Sequence, residues 1–94
     1  MRVLIGYDVS TTEREGQKRL RSIAQACKDF GTRVQKSLFE CVLQERHWID
    51  LENRLLAIMR PDEDSLRIYF LDGDTKVVHH GCSKPVDLQD ALII

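Results

Sequence analysis

From Arg2 to Val9, apolar residues fall on both faces of an extended chain. Val3, Ile5, Tyr7 and Val9 point one way, and Leu4, Gly6 and Asp8 the other, because successive side chains of a strand alternate. A strand apolar on both faces belongs in the middle of a sheet. Ser10-Thr11-Thr12 follows. Thr12 with Glu15 fits a capping box, which predicts a helix start. The helix is expected from about Glu13 to Phe30, with Leu20, Ile23, Ala24, Cys27 and Phe30 as one stripe at 3.6-residue spacing. Arg14, Lys18, Arg21, Gln25 and Lys28 line another face, with Arg19 beside it. Gly31 is expected to end the helix in a left-handed conformation.

Residues 32–43 carry no helical stripe and are too long for one average strand, so they predict two, about 33–36 and 37–43, with a tight bend or bulge near Ser37. A second helix over about 45–59 carries Trp48, Leu51, Leu55 and Ile58, widened by Ile49, Leu56 and Met59. Arg60-Pro61 ends it, since proline disfavours helix at the residue before it. Asp62-Glu63-Asp64-Ser65 reads as an acidic surface loop. Leu66 to Leu71 is a fourth strand, Asp72-Gly73-Asp74 a turn, and Thr75 to His79 a shorter fifth strand.

The order strand, helix, strand, strand, helix, strand, strand is the split βαβ plan: an α+β, ferredoxin-like βαββαβ fold with an additional C-terminal strand. Two helices cover only one face of the sheet, yet strands 1, 3 and 4 are apolar on both. The second face needs a cover, and a second copy supplies it as a face-to-face homodimer. Residues 1–80 are expected to form the domain, including the fifth strand near 75–79. Residues 81–94 are expected to be a tail whose apolar end, Ala91-Leu92-Ile93-Ile94, docks on the twin protomer or on a partner.

Length and composition narrow the class. Ninety-four residues make one small domain, and 43% hydrophobic with 31% charged residues excludes disorder across the chain. No apolar run approaches the ~18–20 residues that span a bilayer. The N-terminal apolar stretch is too short for a signal peptide, so a cytoplasmic protein is expected. Net charge is −1, but residues 1–36 hold eight Lys/Arg against four Asp/Glu. That suggests either an anionic partner on one face or a solvated basic helix face. Cys27, Cys41 and Cys82 are an odd count without Cys-x-x-Cys spacing, which argues against a disulfide framework or structural zinc. Cys27 and Cys41 are expected to be buried and Cys82 exposed. His79 and His80 point to opposite faces of a strand and cannot chelate one ion together. The aromatics fall inside predicted elements, as core residues do.

Asp8 is the principal candidate for chemistry, and two readings fit it. At a strand end in a twofold dimer it lies near its own copy, and two carboxylates with water and phosphate oxygens suit Mg²⁺ and metal-assisted phosphodiester cleavage. Alternatively, it stabilises the turn and helix start through the Ser10 and Thr11 amides. Ser10, Thr11 and Thr12 fit a phosphate at a helix N-terminus, or simple caps. Arg14, Lys18, Arg19, Arg21 and Arg33 fit a strip of phosphate contacts that grips a backbone without reading its sequence, or, for Arg21 and Lys28 further along the helix, ordinary surface charge.

Tyr7-Asp8-Val9-Ser10, the basic helix after it and Arg33-Val34-Gln35-Lys36-Ser37-Leu38-Phe39-Glu40 closely resemble the second of the universal CRISPR adaptation proteins, the Cas-two family. The resemblance runs from residue 2 to about residue 80. It implies ferredoxin-like homodimers with facing sheets and a fifth strand that crosses to the partner. It implies a complex with the CRISPR integrase subunit in spacer acquisition for antiviral defence. It also implies a magnesium-dependent endonuclease acting on single-stranded RNA or double-stranded DNA. By position it makes Asp8 the catalytic residue and Mg²⁺ ligand, and Tyr7 and Phe39 its supports. Ser10, Arg14, Arg19 and Arg33 become nucleic-acid contacts, with Lys18 an alternative to Arg19. The tail after Gly81 becomes the contact with the integrase subunit. Two other readings stay open: a non-catalytic dimeric scaffold bridging integrase subunits on duplex DNA, and a toxin ribonuclease of the VapD type, which shares the fold.

Overall fold

The computed structural model describes residues 1–74 and 76–82. Their elements run β1 (Arg2–Asp8), α1 (Arg14–Phe30), β2 (Thr32–Gln35), β3 (Leu38–Val42), α2 (Glu45–Ile58), β4 (Ser65–Phe70) and β5 (Lys76–Gly81). One antiparallel sheet has the order β2-β3-β1-β4-β5. The doubly apolar β1 is central, with Ile5 opposite Phe39 on β3 and Ile68 on β4. Strand alternation then puts Val3, Ile5, Tyr7, Phe39, Cys41, Leu66 and Ile68 on one face, where they pack with Ile23, Ala26 and Cys27 of α1 and Trp48, Leu51 and Leu55 of α2. The Trp48 and Phe70 rings meet in a T-shaped arrangement at a centroid distance of 5.4 Å, pinning α2 to β4. Among the described residues no helix is long and apolar enough to cross a membrane.

The other sheet face carries Leu4, Gly6, Leu38, Arg67 and Tyr69 by the same alternation, and the two helices lie away from it. Val42 and Val77, at 66% and 46% exposure, extend its apolar surface. The expectation of apolar residues on both faces therefore holds for β1, whereas Glu40 on β3 and Arg67 on β4 interrupt the second face.

Three local expectations change. The helix start has Glu13 at the N-cap with no side-chain cap, so the Thr12/Glu15 capping box does not form. Gly31 is extended (φ −159°), not left-handed; a Cβ there would collide with the Cys41 sulfur, so glycine serves close approach of α1 to β3. The acidic loop is not all surface: Asp64 is 0% and Ser65 1% exposed, and Ser65 already begins β4. β5 is hydrogen-bonded along β4, from Lys76 opposite Phe70 to Gly81 opposite Ser65. The turn at Asp72-Gly73-Asp74, with Gly73 at φ +66°, reverses the chain beside the β4 edge. The predicted strand start at Thr75 and the tail beyond Cys82 lie outside the described residues.

Candidate nucleic-acid cleft

β1 ends at Asp8, immediately after the buried Tyr7. The Ser37 carbonyl in the β2–β3 turn accepts the Tyr7 amide at 3.2 Å, which draws that turn against the strand end. Between them and α1 opens a cleft of about 510 Å³. Its apolar wall is Tyr7, Val9, Leu20 and Ala24, and its polar rim is Asp8, Thr11, Arg21, Arg33, Lys36 and Ser37. Three cations thus face one carboxylate, a balance that draws an anion. Asp8 is exposed, and among the described residues no hydrogen bond or ion pair engages its side chain.

Arg33 is fixed from below. Its guanidinium carbon lies 5.1 Å from the centroid of the Phe39 ring, a cation–π distance. Phe39 is fully buried and stacks on Tyr7, with centroids 6.2 Å apart. Burial pushes the Tyr7 phenol above its ordinary pKa, with the nearby Cys27 adding to it; a hydrogen bond with Arg33 and that residue's charge oppose the rise. Tyr7 therefore remains a neutral phenol that helps anchor Arg33.

The turn after Asp8 is held by a different aspartate. Asp64 Oδ1 accepts the Ser10 amide at 3.3 Å, and Oδ2 accepts the Arg60 amide at 2.9 Å. Arg19 donates through Nε to Oδ2 at 2.8 Å and through Nη2 to Oδ1 at 3.3 Å, and the same Nη2 reaches Glu63 Oε2 at 3.1 Å. Burial alone would push the Asp64 carboxyl up, but the Arg19 guanidinium with the Arg60 and Ser10 amides outweighs it and holds the group below the usual range. Gly16 completes the turn: a Cβ there would strike the Ser10 carbonyl oxygen and come within 2.9 Å of its carbon. The Ser10 amide is thus satisfied by Asp64, not by Asp8, which corrects the turn-stabilising reading of Asp8.

Of the residues singled out from sequence, Asp8, Tyr7 and Arg33 meet at the cleft, with Phe39 beneath them. Arg14 and Lys18 are exposed on α1 outside the cleft lining, and Ser10 has its amide committed to Asp64. Arg19 stands apart from these: its side chain is 11% exposed and engages two carboxylates, Glu63 and Asp64. Arg21, set beside ordinary surface charge, lines the cleft, as does Lys36. The signal for Arg21 was its place next to Leu20 and three residues before Ala24, the half-buried flank of α1. Lys36 was legible only through the β2–β3 turn that brings it back to β1.

Among the described residues no three His, Cys, Asp or Glu side chains gather into a metal cluster, so Asp8 offers one carboxylate per chain. That donor set fits Mg²⁺, which takes one or two carboxylates and completes its shell with water and phosphate oxygens. The histidines part as expected: His79 Nε2 lies 3.1 Å from Ser65 Oγ, and His80 Nε2 lies 3.1 Å from Glu52 Oε2.

Fold and cleft together define a ferredoxin-like α+β protein with an exposed carboxylate set among cations at the end of its central strand. The model of the family described as CRISPR associated protein Cas2 matches residues 1–77. A CRISPR-associated endoribonuclease Cas2 of Nitratidesulfovibrio vulgaris is 47% identical, covering 100% of this chain and 94% of that relative. A CRISPR-associated endonuclease Cas2 of Halalkalibacterium halodurans is 45% identical over 99% of each chain. The crystal structure of Streptococcus pyogenes Cas2 superposes with a TM-score of 0.72 at 43% identity, covering 79% of this chain and 89% of that one. The chain belongs to the Cas2 family.

Proposed function

We propose that this protein is a dimeric, Mg²⁺-dependent phosphodiester-cleaving subunit of CRISPR adaptation that grips nucleic acid through its backbone and works with the CRISPR integrase subunit. The observation that carries the nuclease reading is the Asp8 carboxylate, unengaged among the described residues, beside Arg21, Arg33 and Lys36. The names of the relatives, endoribonuclease and endonuclease, point the same way. Pairing of two copies through this sheet face suits the exposed apolar side chains of Val42 and Val77.

In this reading Asp8 of each protomer holds the cation. Bound Mg²⁺ supplies charge neutralisation at the phosphodiester and a water of lowered pKa. Arg21, Arg33 and Lys36 seat the flanking phosphates and offset charge that develops on the scissile group. Tyr7 and Phe39 keep Arg33 at its station, so less order has to be imposed when substrate binds. Phosphate contacts of this kind make binding fall steeply with salt.

The test compares wild type with Asp8→Ala on labelled duplex DNA and single-stranded RNA, with Mg²⁺ and with chelator, after both are verified as dimers. Cleavage by wild type that needs Mg²⁺ and is lost in Asp8→Ala is expected. Equal activity in both proteins would move the chemistry elsewhere. A second reading, a scaffold that bridges integrase subunits on duplex DNA, is favoured by the three cations on the cleft rim, which suit a grip on the backbone without any cleavage. It predicts no cleavage by either protein and unchanged duplex binding and complex assembly in Asp8→Ala.

A further inference from the structure

Val9 is clamped on both sides by one short segment. Before it, Asp8 pairs across the sheet with Ser65. After it, the Ser10 amide is held by the carboxylate of Asp64, the residue next to Ser65. The Asp64 carboxylate is fully buried and takes Arg19 as its counter-ion. Its backbone is fixed as well: the Asp64 amide donates to the Arg60 carbonyl at 2.8 Å, and the Asp64 carbonyl accepts the Cys82 amide at 2.9 Å. Four parts of the chain therefore converge on one aspartate: the turn after Asp8, helix α1, the end of α2 and the end of β5. If Arg19 swung out to a phosphate, Asp64 would be left as a buried charge with only two amides, and uncompensated buried charges are strongly disfavoured.

We infer that Arg19 and Asp64 are a positioning pair that sets the strand end carrying Asp8, and that Arg19 makes no contact with nucleic acid. The inference rests on the nuclease reading for its catalytic consequence and on the geometry alone for its binding consequence. Arg33, at the cleft, is the contrasting case: removing a phosphate contact lowers the slope of log affinity against log salt by about one.

The experiment uses the full chain and four variants: Arg19→Gln, Arg19→Lys, Asp64→Asn and Arg33→Gln. Affinity for labelled duplex DNA and single-stranded RNA is measured in chelator across a salt series. Arg19→Gln and Asp64→Asn are expected to keep the wild-type salt slope, whereas Arg33→Gln lowers it by about one. Amide exchange at Ser10 is expected to accelerate in Arg19→Gln and Asp64→Asn and to stay near wild type in Arg19→Lys, which keeps a cation for Asp64. In Mg²⁺, Arg19→Gln and Asp64→Asn should lose kcat with KM nearly unchanged, and Arg19→Lys should recover most of it. A salt slope for Arg19→Gln lowered as far as for Arg33→Gln would overturn the inference, as would wild-type kcat and wild-type Ser10 protection in a folded Asp64→Asn. If wild type does not cleave at all, the nuclease reading fails, and the salt slopes and Ser10 exchange still decide the pair. Should Asp64→Asn fail to fold, Arg19→Gln against Arg19→Lys carries the same comparison.

Discussion

Gly16 gives the most direct measure of how tightly the turn after Asp8 is packed, because two effects of opposite sign meet there. It lies in the first turn of α1, where an ordinary Gly→Ala change favours the helix by about 1 kcal/mol. Here the new methyl would run into the Ser10 carbonyl group and lie 3.3 Å from the Thr11 Cα. These neighbours are backbone, not the free end of a side chain, and the Ser10 amide is tied to Asp64. Relief therefore has to come from moving the helix or breaking that bond. Overpacking costs typically about 1–3 kcal/mol. With so little room to retreat the upper end applies, and it exceeds the propensity gain by about 2 kcal/mol. For a domain of this size that lowers the melting midpoint by about 8–16 °C. The assay is thermal and urea unfolding of wild type, Gly16→Ala and Ser22→Ala at one protein concentration. Ser22 is exposed on the same helix, so alanine there should raise stability slightly through propensity alone. Gly16→Ala as stable as Ser22→Ala would refute the reasoning and show that the turn yields freely.

Two further outcomes follow from the buried groups. The Asp64 carboxyl titrates lower in the folded chain than unfolded, so the stability it contributes is complete above its unfolded pKa and is lost as pH falls through the folded value. The gap in urea midpoint between wild type and Asp64→Asn should be constant above about pH 5 and narrow in acid; a gap that widens in acid would contradict this sign. Burial pushes the Cys27 thiol up to about 12 and the Cys41 thiol up to about 11, whereas Cys82 is only half-buried. A thiol reagent at about pH 8 should therefore titrate one cysteine in the native protein and three after denaturation, and a second fast native thiol would show that the sheet–helix core opens.

Periodicity made the secondary structure legible because it reports which positions leave water, and burial is what orders these elements. β1 is central because Val3, Ile5 and Tyr7 on one face and Leu4 and Gly6 on the other leave no polar side. Asp8 was legible for the complementary reason, as a charge at the point where that pattern stops. What the pattern could not carry was pairing at a distance. Arg19 and Asp64 are 45 residues apart, and each reads as surface charge until the fold brings them together at 2.8 Å. A partial signal was present in α1. Gly16, Ile23, Ala26 and Cys27 are its buried positions, and Arg19 falls between Gly16 and Ile23 at the same helical spacing. A cation on a buried stripe requires a buried anion, and Asp64, two residues before Leu66 at the start of the largely apolar β4, was the carboxylate placed to supply it. Gly31 shows the same limit. Its position at the helix end was clear, but its purpose, room for Cys41, depends on a strand ten residues away.

The two aspartates divide work that either could do alone in a simpler turn. A helix start beside a strand end leaves amides that want an anionic acceptor, and Asp8, two residues from Ser10, is the nearest carboxylate in sequence. Had it taken that amide, its oxygens would be committed and its orientation fixed by the turn. Because Asp64 reaches Ser10 from the neighbouring strand and brings Arg19 with it, Asp8 is left at a rigid backbone position with a side chain that no described residue engages. The expected outcome is an asymmetry between the two residues. Asp8→Asn should leave the melting midpoint near wild type and keep Ser10 exchange slow, since nothing in the turn depends on its charge. Asp64→Asn should lower the midpoint clearly, since it weakens the acceptor of two amides and leaves Arg19 without its closest counter-ion. If Asp8→Asn lowers the midpoint as far as Asp64→Asn does, Asp8 is holding the turn after all, and the cleft has no carboxylate to spare for a cation.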